Sequence, residues 1–170
     1  MSNALLIHAT GLAALALNVV ALTCTCERSL RLRSGVSGII WALNNFLLGA
    51  NVAAALSVVS AGRTATSAVT LGERRSRAIG CAIFAALTLA VGALTWAGWA
   101  SLLMVAASLM STYAVFHLTG RSLRWVMLAV SELWMFNAWS VGSWEQVAAN
   151  AISAAASLYG ACRVARPTAS

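Results

Sequence analysis

The sequence predicts an all-α, polytopic membrane protein whose seven transmembrane helices form two parallel three-helix repeats joined by a linker helix, a 3+1+3 arrangement. Composition is the first reason, because 61% of the residues are hydrophobic and 9% are charged. A soluble domain is about 45–50% apolar and about 25% charged, and so few charges cannot cover a surface that faces water. An internal repeat and the positions of the arginines are the other two reasons.

The chain repeats itself at an offset of 93 residues. The tetrapeptide RSLR at Arg28–Arg31 recurs at Arg121–Arg124. Three residues then recur in register: Trp41 as Trp134, Asn44 as Asn137, and Gly49 as Gly142. Duplicated apolar units are a known plan of membrane transporters, so the repeat predicts two equivalent halves of one fold.

Seven apolar runs approach the length of about 20 residues that a spanning helix needs. We place helices at 4–24, 34–48, 51–70, 78–95, 98–117, 122–140 and 144–163. The second is short, about 15 residues or roughly 23 Å, which requires thinning of the bilayer, snorkelling or burial among neighbours. The first run has no basic segment before it and no cleavage site after it, so we interpret it as a retained helix.

The arginines test this count of helices. With seven spans, ten of the eleven arginines fall on one side of the membrane, and Arg63 lies within the third helix toward that side. Glu145 lies in an opposite connection. By the positive-inside rule, this pattern predicts the N-terminus outside and the C-terminus inside.

The repeat also predicts the organisation of the chain into units. Two three-helix units run parallel only if an odd number of helices joins them, so the fourth helix is the linker. The predicted units are residues 1–72 for the first repeat, 73–96 for the linker helix, and 97–170 for the second repeat and a short cytoplasmic tail.

The pattern RSLR…W-x2-N-x4-G, with its second copy late in the chain, resembles the bacterial inner-membrane YgjV family over most of the sequence. The resemblance implies a multi-pass protein of the bacterial inner (cytoplasmic) membrane. The 3+1+3 arrangement is similar to the SWEET and PQ-loop sugar transporters. Those families carry a Pro-Gln motif and helix-bending prolines, whereas the one proline here is Pro167 in the tail. The likeness therefore implies an architecture, without its gating hinges or sugar specificity.

Polar side chains inside a membrane cost free energy, so each should face a partner or a cavity. Two stripes run along single helix faces: Ser57, Ser60 and Thr64 on the third helix, and Gln146, Asn150, Ser153 and Ser157 on the seventh. The fifth helix carries Ser101, Ser108 and Ser111. Trp41 with Asn44, and Trp134 with Asn137, form i, i+3 pairs near mid-membrane.

We interpret six of these residues as a substrate-binding site: Trp41, Asn44, Ser57, Trp134, Asn137 and Asn150. A tryptophan–asparagine pair suits a neutral polar solute such as a sugar, because the indole stacks on its apolar face and the amide both donates and accepts hydrogen bonds. The alternative interpretation is that these polar groups only join helices, as small polar residues often do in membranes.

Two charges fall inside the predicted spans. Glu132 and Arg63 lie at similar depth from the arginine-bearing side, and opposite charges at one depth favour an intramembrane ion pair. The alternative is that the third helix ends early and Arg63 extends toward the membrane surface.

Other classes of protein find little support. No nucleophile–base motif, paired carboxylate or phosphate-binding loop appears, so we expect no enzyme. Cys24 and Cys26 lack a complete set of metal ligands at standard spacing, so we expect no metal and no cofactor. The basic charge flanks membrane helices, so we expect lipid and not nucleic acid as a partner, and a homo-oligomer is possible. Two functions remain: a small-solute transporter, or a structural or accessory membrane protein.

Overall fold

The computed structural model describes residues 3–22, 27–70 and 73–163, and the backbone of these residues forms seven α-helices. They are α1 (Asn3–Leu22), α2 (Glu27–Leu47), α3 (Asn51–Val69), α4 (Arg74–Leu94), α5 (Trp99–His117), α6 (Gly120–Ser140) and α7 (Trp144–Arg163). The all-α class and the seven predicted helices are confirmed. Cys24 and Cys26 lie outside the described residues.

Two helix starts differ from prediction by four residues or more. α2 begins at Glu27 and not at residue 34, and α4 begins at Arg74 and not at residue 78. Arginine is a good helix former, so the charged segments continue the helices instead of forming loops. α2 therefore has 21 residues, and at 1.5 Å per residue it is roughly 32 Å long. The expectation of a short second helix was wrong.

Six helices close a ring in the order α1, α2, α3, α5, α6, α7 and back to α1. α4 lies outside this ring, since within the described part of the chain it packs against α3 and α5 alone. Glycines allow that packing: a Cβ on Gly80 would lie 2.8 Å from the Phe116 ring, and one on Gly92 would lie 2.4 Å from a methyl group of Val105. α4 thus lies against one side of the ring and leaves the interior to the other six helices.

The turns after α2 and α6 have the same geometry, 93 residues apart. Gly49 has φ 74° and Gly142 has φ 73°, a left-handed conformation that favours glycine. In the first turn Gly49 N–H donates to Phe46 O and Ala50 N–H donates to Asn45 O; in the second, the donors are Gly142 and Ser143 and the acceptors Trp139 and Ala138. Both are Schellman motifs, which end a helix and reverse the chain.

Many polar side chains are buried inside the helix bundle, whereas many large apolar side chains are exposed on its outer surface. Among the most deeply buried are Asn44, Asn45, Thr88 and Ser108. Large apolar residues are exposed on every helix, including Leu12, Phe46, Val58, Leu89 and Phe136. This is the reverse of a soluble domain, and it suits a bundle surrounded by lipid tails.

Four helices are long and apolar enough to cross a membrane: α1, α3, α4 and α5. α2 and α6 both carry arginines in their first two turns, which lowers their mean hydropathy. α7 begins with Glu145 in its first turn and is rich in polar residues on one face. That all seven helices span the bilayer stays a prediction.

Candidate functional site

A cavity of about 540 Å³ lies between the six helices of the ring, all of which contribute to its wall. Nine pairs of its lining residues are 93 positions apart in the sequence. In six pairs both members carry a polar group: Asn18/Ser111, Arg31/Arg124, Trp41/Trp134, Ser57/Asn150, Ser60/Ser153 and Thr64/Ser157. The two copies of the repeat therefore line one cavity with matching positions.

The cavity reaches Gln146 in the first turn of α7, but its walls on α1 and α5 lie toward the arginine-bearing ends of the helices. α1 contributes Asn18, near its last turn, and α5 contributes Ser111 and Val115 from its second half. α2 and α6 contribute from their early turns, which carry Arg31 and Arg124. The first fifteen residues of α1 and the first twelve of α5 do not reach the wall.

At the opposite end, α1 packs closely against α7. His8 Nδ1 and Glu145 Oε1 are joined by a hydrogen bond. A Cβ on Gly11 would lie 3.1 Å from the Cβ of Glu145, so the two helices touch there. Further along the same pair, Asn18 Nδ2 donates to Ser153 Oγ at 2.8 Å. Because both residue numbers rise together in these contacts, α1 runs parallel to α7. The close contact at Gly11 lies at the end of the two helices opposite the arginine-bearing end.

Four of the six predicted substrate-binding residues line this cavity: Trp41, Ser57, Trp134 and Asn150. The full α3 and α7 stripes line it as well. The α5 set divides, because Ser111 lines the cavity, Ser108 bonds to Arg63, and the Ser101 hydroxyl accepts a hydrogen bond from the Ala97 N–H.

Asn44 and Asn137 do not line the cavity. Asn44 is fully buried and donates from Nδ2 to Ile7 O at 2.7 Å and to Thr10 Oγ1 at 3.0 Å. It joins α2 to α1. Asn137 is also buried, and its Nδ2 has no partner among the described residues. Positions i and i+3 point about 60° apart around a helix, and in both pairs the indole lines the cavity whereas the amide does not.

Arg63 is held by neutral oxygens. Its Nη1 donates to Ser108 O at 2.6 Å and Thr112 Oγ1 at 2.9 Å, and its Nη2 donates to Ser60 Oγ at 2.7 Å. The residue is 3% exposed and lines the cavity. α3 continues to Val69, so the helix does not end early at Arg63.

The structure does not bring Arg63 and Glu132 together. Glu132 is exposed and lies beside Phe136, Trp139 and Val147, away from the central cavity. Equal depth gives no information about which way a residue faces around its helix, and these two face different surroundings. Within the described part of the chain neither residue makes an ion pair.

Sequence reasoning missed Arg31 and Arg124 as lining residues. Arg31 donates to Ser67 Oγ at 3.0 Å and to Val115 O at 2.6 Å, which joins α2 to α3 and α5. Arg31 and Arg124 were the repeated ends of the RSLR tetrapeptides, so the repeat itself was the available signal. Arg31 lies before the predicted start of the second helix at residue 34, whereas α2 begins at Glu27; Arg124 lies in the first turns of the sixth helix.

A comparison with protein families gives one match: the model of Imp-YgjV, described as a bacterial inner membrane protein, matches residues 5–168. No curated protein and no solved structure matches the chain, so the likeness to SWEET and PQ-loop transporters stays a prediction. The family match covers nearly the whole chain and agrees with the apolar exterior of the bundle. The chain belongs to the Imp-YgjV family of bacterial inner membrane proteins.

Proposed function

We propose that this protein is a small-solute transporter, and that the central cavity is part of a pathway between two three-helix repeats. In this proposal all seven helices span the inner membrane, with the N-terminus outside and the C-terminus inside. α1–α3 form one repeat, α5–α7 the other, and α4 is the linker.

The observation that carries the proposal is the set of offset pairs in the cavity wall. A polar wall built from equivalent positions of two repeats is typical of transporters, whose solute sites lie where the repeats meet. The helix contacts support this assignment. The offset of 93 relates α1 to α5 and α7 to α3, so it relates the α1–α7 contact to the α3–α5 contact.

The cavity has the size and chemistry for a small solute. Its volume of about 540 Å³ lies within the range of about 300–1,000 Å³ typical of ligand sites. Two buried atoms of lining residues, Arg63 Nε and Gln146 Oε1, have no hydrogen-bond partner among the described residues. Buried polar atoms are normally paired, so a bound polar solute gives them a role.

The position of the cavity favours a state open toward the arginine-bearing side. The α1–α7 contact at His8 and Glu145 closes the opposite end. In alternating access, two bundles rock around a fixed site, so transport requires this contact to open. The arginine-bearing side is the cytoplasmic side by the positive-inside rule.

Uptake by proteoliposomes tests the proposal. We expect saturable uptake of at least one solute from a panel of labelled sugars, polyols, amino acids and organic acids, above that of protein-free liposomes. The Trp134→Ala variant should lose this uptake, because the Trp134 indole lines the cavity. Trp139→Ala is the matched control on the same helix, since Trp139 is exposed and outside the cavity wall.

Uptake of no solute in the panel, or equal uptake by both tryptophan variants, would support the other class instead. The protein would then be a structural or accessory membrane protein whose polar residues only hold helices together. Asn44 already has that role in the α1–α2 contact.

A further inference from the structure

We propose that the solute of this cavity is a small organic anion that carries a carboxylate or a phosphate group. The inference rests on the proposed transport function and names its substrate class. Three arginines line the cavity, Arg31, Arg63 and Arg124, and none of the described lining residues carries a carboxylate. The wall therefore has an excess of positive charge.

Arg63 is the strongest part of this argument. It lies six residues before the end of α3, roughly 9 Å into the membrane from that end. Cytoplasmic arginines that only set topology lie at helix ends, so Arg63 needs another explanation. Its hydrogen-bond partners, Ser108, Thr112 and Ser60, are all neutral. They accept hydrogen bonds from its Nη1 and Nη2 without balancing its charge.

A neutral side chain would hold α3 to α5 at lower cost. Placing a charge in a membrane interior is expensive, and such charges normally mark pathways or binding sites. Arg63 lines the cavity, and its buried Nε has no hydrogen-bond partner among the described residues. A bound anion at this wall would supply the missing negative charge.

Arg124 brings a second positive charge from the other repeat. It is half-buried in the cavity wall, and it makes no hydrogen bond or ion pair with any residue that the structure describes. Its equivalent, Arg31, is anchored to Ser67 and Val115. A solute that enters from the arginine-bearing end thus passes Arg124 before it reaches Arg63.

Guanidinium groups recognise carboxylates and phosphates through paired, charge-assisted hydrogen bonds. Hydroxyls of the α3 and α7 stripes can donate to the remaining oxygens, and Trp41 and Trp134 offer apolar faces to the carbon skeleton. From the sequence alone we favoured a neutral polar solute. The arginines in the wall change that preference, because a neutral solute leaves the charge of Arg63 unbalanced.

Anionic lipid head groups share this chemistry, but the ring favours a water-soluble anion. Each of its six helices contacts both neighbours, so the wall is continuous around the cavity. A lipid would have to enter sideways between two packed helices. A soluble anion can enter along the helix axis at the arginine-bearing end.

Rates of thiol modification measure the charge of the cavity without knowledge of the solute. In protein whose four native cysteines are replaced by serine, Asn150→Cys places a thiol in the cavity wall. The purified protein in detergent is treated with an anionic sulfonatoethyl or a cationic trimethylammonioethyl methanethiosulfonate, each rate being normalised to that with a free thiol. We expect the anionic reagent to react about tenfold faster or more, since a charged cleft concentrates counter-ions by that factor.

Arg63→Gln and Arg124→Gln should each reduce this preference, whereas Arg75→Gln, an exposed arginine outside the cavity, should not. Equal rates, or faster reaction of the cationic reagent, would overturn the anion proposal and leave the pathway standing. If neither reagent modifies the thiol, the cavity is not accessible to water, and the proposed transport function is overturned as well. Protection of the thiol by phosphatidylglycerol but not by acetate or inorganic phosphate would make the ligand a lipid and overturn the soluble anion.

Discussion

Arg63 of α3 donates a hydrogen bond of 2.6 Å to the backbone carbonyl oxygen of Ser108 on α5. That carbonyl also accepts a bond of 2.7 Å from the Thr112 hydroxyl, which in turn accepts from Arg63 at 2.9 Å. The three groups form a closed network in the contact between α3 and α5. It holds a cation at the cavity wall with no carboxylate.

Removal of one acceptor from this network should lower the stability of the protein measurably. Thr112→Val keeps the shape of the side chain but removes the oxygen that accepts from Arg63. We expect it to lower the free energy of unfolding by about 1 kcal/mol, a usual value for a hydrogen bond between membrane helices. Thermal unfolding in detergent measures the loss. Thr66→Val is the matched control, because the Thr66 hydroxyl has no partner among the described residues, and equal effects of the two changes would contradict the network.

Asn44→Leu should destabilise the protein and leave its solute preference unchanged. The Asn44 amide joins α2 to Ile7 and Thr10 of α1 and does not line the cavity. Loss of two interhelical bonds should cost about 1–2 kcal/mol. Unfolding measurements and uptake assays on the same preparation separate the two effects. An Asn44→Leu protein with normal stability but no uptake would mean that this amide contacts the solute.

Asn44 and Asn137, which do not line the cavity, show which part of the fold could be predicted from the sequence. Apolar runs and arginine positions gave seven helices, and the limits predicted for α7 match those observed, because 3.6-residue periodicity and charge are local properties. The predicted stripes on α3 and α7 both line the cavity, since three or four polar residues at helical spacing share one face of a helix. Periodicity places Asn44 relative to Trp41, but not relative to α1, whose position depends on packing.

The predicted Arg63–Glu132 pair also depended on how the helices pack, which periodicity does not specify. Depth follows from counting residues along a helix, whereas the direction a side chain faces depends on which helices are neighbours. The ring places α5 beside α3, so Arg63 meets the oxygens of Ser108 and Thr112. Glu132 is on α6, which does not contact α3.

The two glycine turns should respond equally to substitution. Gly49 and Gly142 have φ near +74°, and a Cβ on either would meet nothing within 4 Å. The cost of Gly→Ala should therefore come from the backbone alone, about 1–2 kcal/mol at each position. Gly→Asn should cost less, since asparagine tolerates this conformation better. Clearly unequal losses for Gly49→Ala and Gly142→Ala in thermal unfolding would contradict the equivalence of the turns.

The orientation of the chain can be tested with a reporter at the C-terminus. The described arginines, apart from Arg63, lie in the early turns of α2, α4 and α6 or at the end of α7. This end should face the cytoplasm. A fluorescent protein that folds only in the cytoplasm should therefore fluoresce when fused after Ser170. Activity of a periplasmic phosphatase fused at the same position would mean that the orientation is the reverse of the one proposed or that the number of spans is different.

The most direct test of the solute pathway is to block it from one helix face. Ser157 lines the cavity toward its arginine-bearing end, while Ala155 on the same helix is exposed outside the bundle. Ser157→Phe should fill the passage and reduce proteoliposome uptake of the transported solute to the level of protein-free liposomes. Ala155→Phe adds a ring of the same size to the outer surface and should transport at the wild-type rate. Wild-type uptake by a correctly folded Ser157→Phe protein would contradict the claim that solute passes through this cavity.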